Sequence, residues 1–139
     1  DAGVASAIAA GLQTWRGRVW LVGLAGSPAL EVWRDAGFDV APEAFADRRY
    51  EADGSLRSRV HPDALLTDPD AAAAQALDIV QGRGALAASG ARVALAARTL
   101  CIHGDTPGAA GIAGAVRAAL TAASIGLRPL PALSPLRRA

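Results

Sequence analysis

The chain contains no methionine and no lysine, a single cysteine and few aromatic residues. One cysteine excludes an internal disulfide and fits a reducing compartment, so we predict a cytoplasmic protein. The 14 basic residues, all arginine, balance 13 acidic ones, which argues against a nucleic-acid-binding surface. No run approaches the length of a membrane span. Because the chain starts at Asp1 without any Met, we expect it to be a piece of a longer protein.

Apolar runs that alternate with amphipathic segments predict a parallel α/β architecture. The strands are apolar on both faces, as in a sheet covered on both sides, and three are too few for a closed barrel. We predict helices over 2–14, 28–36, 69–81 and 107–124 and strands over 19–24, 38–45 and 98–103. Residues 1–127 are assigned to this part of a barrel, and 128–139 to a poorly ordered tail rich in proline and arginine.

Helical spacing also predicts which side chains are buried. The predicted apolar faces are Val4, Ile8 and Leu12 in the first helix, Ala73, Leu77 and Val80 in the third, and Ile112, Val116 and Leu120 in the last. Asp53-Gly54 and Ser89-Gly90 predict turns in two surface excursions. The tryptophans Trp15, Trp20 and Trp33 and the single Cys101 are interpreted as packing residues, and His61 as an exposed loop residue.

Two of the strands end in similar sequences. Gly26-Ser27-Pro28 follows the first strand, and Gly104-Asp105-Thr106-Pro107 follows the last. Ser and Thr before Pro are typical of a helix N-cap followed by the first helical residue. In parallel sheets the helix N-termini lie at the ligand-binding end and favour anions.

His103 and Asp105 are the predicted catalytic residues, because barrel strands deliver catalytic groups at their ends. A histidine can donate or accept a proton near neutral pH, and the carboxylate could orient it, a metal or a substrate amine. A structural hydrogen-bonded pair is the alternative. Two such groups do not make a metal site, so no metal ligand is assigned.

Asp47, Arg48, Ser27 and Gly26 are the predicted substrate-binding residues. Arg48 could hold a carboxylate or phosphate through two N–H groups, and a plain surface ion pair with Asp47 is the alternative. Gly26-Ser27 fits a helix cap better than a phosphate-binding loop, because the chain has no lysine to complete one.

Three ordered motifs resemble signatures of the LamB/YcsF family, the A subunits of ATP-dependent 5-oxoprolinases. They are Gly23-Leu24-Ala25-Gly26-Ser27, the segment from Glu43 to Tyr50 with Asp53-Gly54, and Thr99-Leu100-Cys101-Ile102-His103-Gly104-Asp105. The family's Asp-Leu-Asn-Cys-Asp and Lys-Pro-His-Gly-Ala-Leu-Tyr segments do not occur here. The chain therefore resembles the C-terminal half of the family.

This resemblance implies a distorted (β/α) barrel of the deacetylase type and the opening of 5-oxo-L-proline to L-glutamate with ATP hydrolysis. It also implies partner subunits B and C, and a chain that is inactive alone. It strengthens the assignment of His103 and Asp105. A metal-dependent deacetylase of the same fold and a non-catalytic fragment that docks to partners stay open as alternatives.

Overall fold

The computed structural model describes residues 1–130, which form two compact units. One unit comprises Asp1–Glu43 with the segment that begins at Leu127, and the other comprises Ala44–Gly126. Most of the predicted tail, 131–139, lies outside the described residues. The elements are α1 Ala2–Gly11, a short 3-10 helix Gln13–Trp15, β1 Trp20–Leu24, α2 Pro28–Asp35, β2 Asp39–Phe45, α3 Pro69–Val80, β3 Ala85–Leu86, β4 Arg92–Val93, β5 Thr99–Cys101 and α4 Ala109–Ala122.

The main sheet has three strands in the order β1-β2-β5. β1 and β2 pair in parallel, with Trp20 opposite Asp39 and Leu24 opposite Glu43. The predicted α/β architecture with parallel strands is confirmed, and β5 is shorter than predicted. β3 and β4 form a separate antiparallel pair around Ser89-Gly90, as the turn signal predicted. Asp53 likewise lies in a turn, where its carboxylate accepts a hydrogen bond from the Ser55 N–H.

The core of the first unit contradicts the predicted face of α1. Val4 and Ile8 are 60% and 39% exposed, and Ala5 and Ala9 are buried in their place. The small alanines let the helix backbone approach α2, where the Trp33 Nε1–H donates to the Ala5 carbonyl at 3.0 Å. The close packing of α1 against the buried Trp33 therefore determines which face of the helix is buried, and the size of its apolar side chains does not.

The core of the second unit lies between α3 and α4. Ile112, Val116 and Leu120 are buried, as the spacing in α4 predicts. The face of α3 is shifted: Val80 is exposed, whereas Ala72, Ala76 and Ile79 are buried together with the predicted Ala73. Alanines again mark the close contact, because a helix packed through Ala can approach its neighbour closely.

Of the two predicted N-caps, Ser27 is confirmed and Thr106 is wrong. The Ser27 hydroxyl accepts from the Ala29 N–H, and the Asp68 carboxylate caps α3. Thr106 does not cap α4. The cap is Gly108, with a φ of 78° that glycine adopts without strain, and the Thr106 hydroxyl bonds to a buried carboxylate instead.

The tryptophans have different environments. Trp33 is buried and Trp20 is half-buried, whereas Trp15 is 52% exposed, so its assignment as a packing residue is wrong. Trp15 ends the short 3-10 helix after α1. None of the helices described between residues 1 and 130 has the length and apolarity needed to cross a bilayer.

Candidate functional site

His103 and Asp47 form the centre of the candidate site. The Asp47 carboxylate lies 3.0 and 3.2 Å from the imidazole Nδ1 and also accepts the His103 backbone N–H at 2.9 Å. Asp47 follows β2 and His103 follows β5, which are neighbouring strands. The strand-exit pattern of the sequence predicts that Ser27, Asp47 and His103 lie on one rim of the sheet, and the contact between Asp47 and His103 confirms this for these two residues.

Asp47 is fully buried, and its environment favours the ionised carboxylate. Burial raises the pKa of Asp47, but hydrogen bonds from the side chain and backbone N–H of His103 and from the Thr106 hydroxyl outweigh it, so the pKa lies below its ordinary value. An ionised carboxylate only accepts hydrogen bonds. Nδ1 of His103 therefore carries a proton, and Nε2 is the nitrogen that can exchange one with a ligand.

The imidazole is held in place but reaches solvent. The side chain of His103 is 21% exposed, whereas that of Asp47 is 0% exposed. The Phe45 ring stacks on the imidazole with a centroid separation of 5.2 Å and an angle of 22°. Stacking on one face and hydrogen bonding at Nδ1 fix the orientation of the ring.

Gln75 supports the segment that carries Asp47. Its Nε2 lies 3.0, 3.1 and 2.8 Å from the carbonyl oxygens of Phe45, Ala46 and Arg48. The backbone of Asp47 also accepts from the Leu66 N–H at 2.8 Å. The sequence analysis did not identify Gln75. The available signal was a polar residue between the alanines of the α3 face, at a position where a buried side chain is expected.

Asp105 lies outside this network. Its side chain is 70% exposed and pairs with the Arg59 guanidinium at 3.2 Å. The hydrogen bond from Arg59 lowers the pKa of Asp105, with a further contribution from the charge of His103. The residue that orients His103 is Asp47, so the suggestion that Asp105 does so is wrong. A direct catalytic role for Asp105 stays a prediction.

Arg48 is buried against the loop that follows it. Its Nη2 donates to the Arg57 carbonyl at 2.6 Å, and its Nε is buried without a partner among the described residues. The alternative of a surface ion pair between Arg48 and Asp47 is wrong, because both side chains are buried and Asp47 bonds to His103. Substrate binding by Asp47 and Arg48 stays a prediction.

Gly26 and Ser27 belong to the first unit, where Ser27 caps α2, and substrate binding by them stays a prediction. Cys101 is half-buried in β5, and His61 is exposed as predicted. Within residues 1–130, no three His, Cys, Asp or Glu side chains are grouped as potential metal ligands.

Comparison with known proteins identifies the family. The model of the LamB/YcsF family matches residues 1–135. The chain belongs to the LamB/YcsF family. The residues that form the site, Asp47 and His103, both fall in motifs that carry this resemblance.

Relatives with curated descriptions are named as the A subunits of 5-oxoprolinases. The protein from Chloroflexus aurantiacus is 50% identical over 125 residues, which cover 90% of this chain and 49% of the relative. That from Streptomyces coelicolor is 45% identical over 127 residues, 91% of this chain and 51% of the relative. The chain thus spans about half the length of these relatives.

A solved structure agrees with the fold of this LamB/YcsF chain. The lactam utilization protein from Thermus thermophilus matches with a TM-score of 0.83 and 40% sequence identity. The match covers 92% of this chain and 51% of that protein. The fold described here is therefore a part of the fold of that LamB/YcsF relative.

Proposed function

We propose that this chain is part of the A subunit of a 5-oxoprolinase, in which His103 is the acid that protonates the leaving ring nitrogen. The relatives are named as A subunits of 5-oxoprolinases, and 5-oxoproline is a five-membered lactam. The observation that carries the proposal is the buried Asp47 carboxylate, which holds His103 through both Nδ1 and the backbone N–H. A structural histidine does not need a partly exposed edge, and His103 has one.

The reaction explains why such a histidine is needed. An oxygen nucleophile derived from water bonds to the lactam carbonyl carbon, the C–N bond breaks, and the nitrogen leaves as an amine only after accepting a proton. The Nε2–H of a doubly protonated His103 supplies that proton. The neighbouring Asp47 carboxylate stabilises the imidazolium and fixes the direction of Nε2.

The use of ATP and the presence of partner subunits are proposed from the resemblance to the LamB/YcsF family. ATP as a second substrate would activate the carbonyl oxygen, and subunits B and C would complete the enzyme. The chain has no lysine, and the Ser27 cap is not part of a phosphate-binding loop, so we assign no ATP contact to its residues. A cytoplasmic location is proposed because a single cysteine fits a reducing compartment.

The test is ATP-dependent release of glutamate from 5-oxo-L-proline by the complete polypeptide that contains this chain, reconstituted with its partner subunits. His103→Gln is expected to lower kcat on the order of a hundredfold or more. His61→Gln is the matched control, because His61 is exposed on a loop, and Cys101→Ser is a second control. Full activity of a folded His103→Gln variant would disprove the role of His103.

The same preparation separates the alternatives. A metal-dependent deacetylase would contain a stoichiometric metal ion and would lose its activity on chelation. A non-catalytic fragment would leave glutamate release unchanged when either His103 or Asp47 is substituted.

A further inference from the structure

A loop anchored at both ends lies beside the candidate site. Both ends of the segment 57–64 are hydrogen-bonded to the backbone of Arg49. The Arg49 N–H donates to the Ala64 carbonyl at 3.0 Å, and the Arg49 carbonyl accepts from the Arg57 N–H at 2.9 Å. Arg49 is two residues after Asp47. The position of the loop is therefore fixed relative to the carboxylate that holds His103.

Arg59 of this loop contacts the segment that carries His103. Its Nη1 lies 3.2 Å from Oδ2 of Asp105, two residues after His103. Through this contact the loop is joined to the segment that follows β5 and carries His103. Arg59 is thus positioned from two directions, through the anchored loop and through the segment that carries the histidine.

The contact between Arg59 and Asp105 is weak and replaceable. The side chains are 49% and 70% exposed, and the contact is a single one at the long end of hydrogen-bond distances. A guanidinium can bind a carboxylate through two parallel N–H groups, and Asp105 uses one. A free carboxylate that approaches with both oxygens can therefore displace Asp105.

Other acidic side chains near the loop do not compete for Arg59. Arg57 binds Glu51 at 2.9 Å and Asp63 at 2.8 Å. Both carboxylates are therefore bound by Arg57 and not by Arg59. The charge of Arg59 is opposed by Asp105 alone among the ion pairs formed within residues 1–130.

On this arrangement we infer that Arg59 binds the carboxylate of the lactam substrate and selects acidic lactams over neutral ones. The inference rests on the proposed function, because it takes the lactam from there. In 5-oxo-L-proline the carboxylate is borne by the ring carbon next to the nitrogen. A cation paired with Asp105, two residues after His103, would hold that carboxylate while His103 faces the adjacent nitrogen.

The test compares 5-oxo-L-proline with pyrrolidin-2-one, the same ring without the carboxylate. Binding of each lactam to the complete polypeptide is measured by calorimetry, and turnover is measured with the partner subunits present. Arg59→Gln is expected to raise Kd and KM for 5-oxo-L-proline about tenfold or more, with little change for pyrrolidin-2-one. Arg59→Lys is expected to weaken binding of 5-oxo-L-proline less than Arg59→Gln does, because lysine keeps the positive charge but cannot bind a carboxylate in a bidentate manner.

Arg83→Gln is the matched control. Arg83 is an exposed arginine paired with Asp78, and its loss is expected to leave the discrimination between the two lactams unchanged. An equal loss for both lactams in Arg59→Gln, or no loss for either, would overturn the inference.

The outcomes also separate the inference from the proposed function. Binding of 5-oxo-L-proline that depends on Arg59, in a complex that releases no glutamate, would support the inference and reject the reaction. Normal glutamate release that is insensitive to Arg59 would reject the inference and retain the reaction. No binding of 5-oxo-L-proline to the unsubstituted polypeptide would reject both.

Discussion

The Asp47 carboxylate accepts hydrogen bonds from the imidazole Nδ1 and from the backbone N–H of His103, a residue 56 positions away in the sequence. Two contacts to one residue fix both its ring and its backbone. The strand end and the imidazole are therefore positioned by a single buried group.

Asp47→Asn is expected to lower kcat for 5-oxo-L-proline on the order of a hundredfold in the assembled enzyme. The amide has no charge to stabilise the imidazolium, and with one acceptor oxygen in place of two, either the Nδ1–H or the backbone N–H of His103 faces an NH₂ group. Asp68→Asn is the control, because Asn caps a helix as well as Asp does. Nitrogen chemical shifts of the imidazole would report a changed tautomer of His103. Unchanged kcat and shifts would contradict the role given to Asp47.

The stability of the chain is expected to depend on Asp47 at acid pH. The pKa of Asp47 is lowered in the folded chain from an ordinary value of 3.8, so its stabilising contribution is complete above 3.8 and is lost as the pH falls through the lower folded value. Urea denaturation over about pH 6 to pH 3 should show a smaller fall in the free energy of unfolding for Asp47→Asn. Parallel pH profiles for both proteins would show that Asp47 titrates alike in the folded and unfolded states.

Gln75→Leu is expected to reduce both stability and turnover. The two N–H groups of the side-chain amide face three carbonyl groups at the end of β2, and leucine leaves them without this donor. A loss of about 1 to 3 kcal/mol is expected in denaturation. Gln81→Leu, at an exposed position after α3, should cost much less. If Gln75→Leu unfolds like the unsubstituted chain, the amide does not hold the Asp47 segment.

Gly23→Ala and Gly11→Ala are expected to change stability in opposite directions. A Cβ at Gly23 would lie 2.9 Å from Cζ3 of Trp33 and 3.3 Å from Cδ2 of Leu30, so these side chains must move. The expected cost is about 1 to 3 kcal/mol. At Gly11, in the last turn of α1, nothing lies within 4 Å, and alanine should stabilise by about 0.5 to 1 kcal/mol. Melting temperatures of the two variants give the comparison, and a shift in the same direction for both would contradict it.

Local signals in the sequence predicted the elements well. Ser27 and Asp68 cap their helices because a cap depends on residues within one turn. Thr106 carries the same signal but does not cap. Its hydroxyl binds Asp47, which is 59 residues away and invisible to a local pattern.

Burial was predicted less well where alanine and larger residues compete. Ala5 and Ala9 are buried in α1 because the helix contacts Trp33 closely, although Val4 and Ile8 offer more apolar surface. The site shows the same limit. The sequence predicted His103 and Asp47 separately, but it could not show that one holds the other, because that contact exists only when β2 and β5 are neighbours.

The two backbone hydrogen bonds at Arg49 support the 57–64 loop independently of the side chains within it. Both ends of the loop bind the backbone of Arg49, so side chains between them can change without altering the main-chain bonds that support it. Asp47 and His103 lie outside this interval. Under the roles proposed for Arg59 and His103, substitutions at exposed loop positions would alter which ligand charge is accepted while His103 keeps its geometry, which makes the loop the natural place to engineer acceptance of neutral rings.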